Sequence, residues 1–163
     1  MSGTVRAHPL TAEAFAPYGA VIEAGRGKAR SINAGLCTRW HDLCRPDTDG
    51  PACLSVFDAE PRALPYGLDL IERHPLGTQA FLPLTAYPFL VIVSDGPKGE
   101  PKAFLTAPHQ GIQFHRGTWH GVLAPLYAPG LFAVLDRAEA ADNLEEHRFD
   151  APWTVIEPSS PCP

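Results

Sequence analysis

Proline constrains this chain more than any other feature. Eighteen of its 163 residues are proline, about twice the usual share, and they fall between short runs rich in Val, Phe and Leu. Proline has no N–H to donate and clashes with the preceding helical turn. Scattered this densely, it disfavours long helices and suits short strands separated by turns. Eight such runs follow residue 52: 52–57, 68–74, 79–84, 89–94, 103–106, 111–115, 121–126 and 131–136, each β-branched or aromatic in character and bounded by Gly or Pro. Their regular spacing predicts an all-β sandwich or barrel rather than βαβ units.

The flanks are less regular. Thr11 is placed to cap a short N-terminal helix over 12–16, stopped by Pro17. Residues 25–50, rich in Gly, Arg, Asp and Pro, read mainly as loop, with the R-W-H-D-L run at 39–43 inside it. Residues 138–149 are acidic and weakly helical, and an irregular C-terminal segment is expected after them. With 45% hydrophobic and 19% charged residues the composition is that of an ordinary globular chain. One domain over 1–157 is expected, with 158–163 a Pro/Ser tail without fixed structure.

Thirteen Lys+Arg against 18 Asp+Glu leave a formal charge of −5. This balance argues against nucleic acid or an anionic membrane as partner, since both demand a clustered basic face. Arg26, Lys28 and Arg30 sit among glycine and alanine and read as a solvated loop. No apolar run approaches the roughly 20 residues of a membrane span, and the first residues hold no signal-peptide core; a cytoplasmic location is expected. Cys37, Cys44, Cys53 and Cys162 form no C-x-x-C pair and read as structural or surface thiols.

The histidines carry the chemistry. Glu72, His74 and Gln79 form an E-x-H-x4-Q element, and His115, Gly117 and His120 an H-x-G-x-x-H element. Together they resemble the two metal motifs of cupins, jelly-roll barrels, with His115 where those motifs carry proline. Residues i and i+2 of a strand face the same way, so Glu72 and His74 can both aim into a barrel, joined by Gln79 and His120 from neighbouring strands. Imidazole, carboxylate and carboxamide together suit a divalent first-row metal such as Ni, Mn, Fe or Zn. The plainer alternative makes Glu72 a surface carboxylate, His74 a turn residue and His120 a hydrogen-bonded core residue. By the same alternation Arg73 faces away from Glu72, and Gln113 shares a face with His115. Arg116 either grips a carboxylate bidentately or lies on the surface.

Longer runs are similar to the ureidoglycolate lyase family: P-L-T-A-E-A-F-A-P-Y-G over 9–19, I-N-A-G over 32–35, and R-W-H-D-L over 39–43. They continue with E-R-H-P-L-G-T-Q over 72–79, Q-G-I-Q-F-H-R-G-T-W-H over 110–120, and D-R at 136–137. Gly121 stands where that family commonly has a second histidine. The resemblance implies a cupin-like jelly-roll barrel, a homodimer, and cleavage of (S)-ureidoglycolate to glyoxylate and urea in allantoin degradation. It also implies a divalent metal, often nickel. On that basis Glu72, His74, Gln79 and His120 are the expected metal ligands, and His115 with His120 the expected catalytic histidines. Asn33, Arg39, His41, Gln113 and Arg116 are the expected substrate contacts. The alternatives are a non-catalytic cupin that binds a small carboxylate and an amidohydrolase that releases ammonia.

Overall fold

A computed structural model of the chain describes residues 3–139 and 142–159. Cys162 and residues 160–163 of the expected tail lie outside the described residues. Strand β1 (Thr4–Pro9) leads into the one-turn helix α1 (Ala12–Phe15), where the Thr11 hydroxyl accepts the Ala14 N–H at 3.2 Å. Next come β2 (Gly19–Ile22), β3 (Lys28–Ile32), β4 (Cys37–His41), β5 (Ala52–Asp58) and β6 (Tyr66–Arg73). They are followed by β7 (Gln79–Pro83), β8 (Phe89–Ser94), β9 (Lys102–Leu105) and β10 (Gly111–Phe114). Two short pieces, β11 (Trp119–His120) and β12 (Ala124–Pro125), precede β13 (Leu131–Arg137) and β14 (Glu145–Ile156).

These strands build an all-β, cupin-like closed barrel. One sheet runs β11-β6-β14-β1-β9-β8-β12, and β11 also pairs with β8, so two residues of β11 close the ring. The second sheet runs β2-β10-β7-β13-β5. Between them Phe15, Phe81, Phe89, Phe104, Phe114 and Phe132 form the main core. All six residues of β8 are buried, which accounts for its unbroken F-L-V-I-V-S sequence: a strand covered on both faces has no polar side to alternate with. Among the described residues no helix is long and apolar enough to cross a membrane.

Four expectations need correction. Residues 25–50 are not mainly loop, because β3 and β4 form an antiparallel hairpin paired only with each other. Neither of its strands buries a full face, so it lacks the apolar alternation that marks a strand in sequence. The expected strand at 121–126 shrinks to the two residues of β12, with β11 just before it, because Gly121 turns its N–H to the Ile92 carbonyl (2.9 Å) at the barrel closure.

The C-terminal segment is not irregular, and none of the described residues of 138–149 is helical, 140 and 141 lying outside the described residues. β14 is the longest strand, antiparallel to β6 and parallel to β1. From Glu146 to Val155 its residues alternate exposed and covered. Its acidic residues lie mostly on the wet side, and Pro152 falls in the register shift between Arg148 and Trp153, where a missing N–H costs little.

Candidate metal and active site

The barrel closure builds the site. His120 of β11 is the direct cross-strand partner of Glu72 of β6, so both side chains leave the sheet on one face. His74, two residues beyond Glu72, joins them, and the ligand atoms of Glu72, His74 and His120 lie within 4.8 Å of one another. The two imidazole rings are 5.4 Å apart, and His74 Nε2 is 3.8 Å from Glu72 Oε1. Arg73 takes the opposite face, paired with Glu145 at 2.6 Å and stacked over the Trp119 ring.

Both histidines are held in one tautomer. His74 Nδ1 lies 2.7 Å from the Asn143 carbonyl, and His120 Nδ1 lies 3.0 Å from the Gly121 carbonyl. A carbonyl oxygen only accepts, so each Nδ1 carries the proton and donates it. In the neutral ring Nε2 then keeps the lone pair, the arrangement that orients histidines toward a metal. His74 Nε2 is buried without a hydrogen-bond partner. Such an orphan is costly unless something ligates it.

Burial sets the charges. His120 is fully enclosed, stacked on Phe114 at 4.2 Å between centroids. Desolvation, opposed by the Gly121 carbonyl and helped by neighbouring His74, lowers its pKa to about 3. It is neutral at physiological pH. Glu72 moves the other way: burial raises its pKa above the ordinary carboxylate value, Glu146 adds to this, and His74 opposes it.

A cavity of about 70 Å³ opens beside these residues. Glu72, Gln79 and His120 are its polar wall; Phe57, Phe81 and Phe114 are among its apolar ones. Gln79 donates its Nε2–H to Asp136 Oδ2 at 3.1 Å, which leaves its Oε1 as the available acceptor. Among the described residues no Lys or Arg lines this cavity.

The other expected site residues lie elsewhere. His115 is exposed, with Nε2 at 3.2 Å from the Ala16 carbonyl, because Phe114 takes the inward position on β10 and alternation sends its neighbour out. Gln113 is buried on that outer face and donates to the Arg45 carbonyl at 2.7 Å. Arg116 is committed to Asp47 (2.8 Å) and Asp49 (3.0 Å). Asn33 sits at the tip of the β3–β4 hairpin, and Arg39 and His41 on β4. None of these lines the cavity of its own chain.

Sequence reading passed over three residues that shape the site. Phe114 stacks on His120, Asp136 anchors Gln79, and Asn143 supports His74. Asn143 Oδ1 also accepts the Leu76 N–H at 2.7 Å, holding the turn after His74. Asp136 lies in the D-R pair at 136–137, a signal in the sequence that carried no role. Asn143 had none, because its partners are more than 60 residues away.

The donor set fits a divalent first-row metal: two imidazoles whose Nδ1 atoms are tied back to carbonyls, a carboxylate and a carboxamide oxygen at and beside one cavity.

The family model described as ureidoglycolate lyase matches residues 2–156. Among curated proteins the chain is 55% identical to the ureidoglycolate lyase of Rhodobacter capsulatus, covering 90% of this chain and 94% of that one. It is 48% identical to ureidoglycolate lyase 2 of Rhizobium meliloti, with 90% and 94% covered, and 46% identical to the ureidoglycolate lyase of a Chelativorans species, with 91% and 94% covered.

Proposed function

This chain belongs to the ureidoglycolate lyase family, and from that premise we propose that it cleaves (S)-ureidoglycolate to glyoxylate and urea at the Glu72–His74–His120 cavity. The observation that carries the assignment is the convergence of two histidines with tied Nδ1 atoms and a half-buried carboxylate beside one small cavity. Ureidoglycolate carries a hydroxyl and a ureido nitrogen on one carbon. Cleavage removes the hydroxyl proton, forms the aldehyde C=O, and returns the C–N electron pair to nitrogen, which takes up a proton to leave as urea.

Glu72, His74, Gln79 Oε1 and His120 hold a divalent metal, nickel being the ion the resemblance suggests. When bound, it supplies Lewis-acid polarisation of the substrate oxygens. Glu72 has two carboxylate oxygens and lines the cavity. It is the cavity group suited to take the hydroxyl proton and pass it to the leaving nitrogen. The apolar walls at Phe57, Phe81 and Phe114 exclude water from that transfer. The same reading takes the enzyme as a cytoplasmic homodimer.

Incubating the purified protein with ureidoglycolate while measuring urea, glyoxylate and ammonia, alongside metal analysis, tests this. Equal urea and glyoxylate without ammonia supports the lyase. Ammonia release identifies an amidohydrolase, and binding without turnover a non-catalytic cupin.

A further inference from the structure

Among the described residues no Lys or Arg of its own chain lines the cavity, while Lys28, Arg30 and Arg39, none of them in an ion pair, stand on an arm elsewhere. In the β3–β4 hairpin Arg30 and Arg39 are direct cross-strand partners, and Lys28 pairs with His41 two residues along. By alternation all four project from one face. Like charges set directly opposite destabilise a strand pair, and the Arg39 guanidinium has no ion-pair or hydrogen-bond partner among the described residues. A lone two-stranded hairpin is marginal in water. This one is almost wholly exposed and ends in an apolar tip, with Leu36 91% and Ile32 39% exposed.

A matching surface lies at the far side of the barrel. β5 is the edge of its sheet, with a free edge among the described residues. Its outer face shows Leu54 (71% exposed) and Val56 (66% exposed), continued through Ala133 to Leu82 on β7. A long apolar edge strand left bare is an aggregation hazard. Asp58 and Glu60, at its end, have no ion-pair partner among the described residues. Phe57, on the inner face of the same strand, is partly exposed and lines the cavity, so whatever covers Leu54 and Val56 stands at the cavity rim. The hairpin's base is tied to β10 through Arg45 and Gln113, three strands from β5, or about 14 Å at ordinary strand spacing.

We infer that the β3–β4 hairpin of one copy docks on the β5 edge of a second copy and presents Arg30 and Arg39 to the carboxylate of the substrate bound there. Apolar tip meets apolar face, basic strands meet Asp58 and Glu60, and the partner's arm supplies the cation that the cavity lacks. The inference rests on the lyase assignment for the identity of the anion, and on the hairpin and edge strand alone for the docking.

Mixed dimers test it. An Arg30→Ala/Arg39→Ala variant keeps its cavity intact, and a Glu72→Gln variant keeps its arm intact. Each parent alone should lose roughly 10–100-fold or more in kcat/KM, the scale of a lost charge-assisted contact or catalytic group. Dimers carrying one copy of each, isolated by two different tags, should recover about half the wild-type rate, because one of their two sites is then complete. Mixed dimers that stay at parental activity, or a double arginine variant with wild-type KM, overturn the proposal. Docking is read separately, whether or not ureidoglycolate is the substrate. A Val56→Cys variant treated with a short bis-maleimide should give a covalent dimer that depends on both the introduced thiol and the exposed Cys37. Absence of that dimer overturns the docking, whereas failure of wild type to cleave ureidoglycolate overturns only the assignment on which the anion's identity rests.

Discussion

His120 stacks flat on Phe114, with ring centroids 4.2 Å apart and planes 7° from parallel. The closure strand thus lends its imidazole to both the core and the cavity. His120→Ala should remove a ligand and leave a void, abolishing turnover and costing about 2–4 kcal/mol of stability. Phe114→Leu removes the stack and keeps the ligand, so it should cost stability of similar size while metal content stays near stoichiometric. Urea denaturation and metal analysis of the two variants separate these contributions.

Asn143 orients rather than ligates. Asn143→Ala should release the Leu76 N–H and loosen the turn that sets His74, weakening metal affinity by about 10–100-fold, as lost outer-shell partners do. Asn143→Asp keeps the accepting oxygen and should retain most of the affinity. Metal titration of both variants, followed by calorimetry, checks the pair.

For His115 the expected effect is small. Its ring meets the Ala16 carbonyl at the surface, outside the cavity lining. His115→Gln should change kcat by less than about threefold, well short of the 10²–10⁴ that a proton-transferring group contributes. Steady-state kinetics at pH 6, 7 and 8 measures it.

Acid stability should depend on Asp95. Hydrogen bonds from Tyr18 and Lys102, and then the Lys102 charge, hold its carboxyl below the usual range. A folded-state pKa below the unfolded one contributes stability at pH above about 4, and that contribution is lost as pH falls through the folded value. Wild type should therefore exceed Asp95→Asn in denaturation midpoint at pH 7, and the gap should shrink toward pH 3. A gap that stays constant across this range would show that the carboxylate's charge is not the source.

Local features were legible in the residues alone: short strands punctuated by proline, a Thr11-capped turn, and Glu72 and His74 on one side of a strand with Arg73 on the other. Each depends on neighbours within a few residues, where backbone geometry and period-two alternation act directly. The same locality misleads at the ends. The β3–β4 hairpin buries no full face and lacks the apolar pattern that marks a strand, whereas β14 alternates, with Phe149, Trp153 and Val155 on its covered side, but its exposed acids and Pro152 interrupt any apolar run. The closed barrel was needed to place His120 opposite Glu72, to tie His74 to Asn143, and to turn Phe114 inward and His115 out. Those pairings join residues roughly 50 to 70 positions apart, and chain closure over such distances is governed by packing of the whole barrel, for which no short run of residues carries the signal.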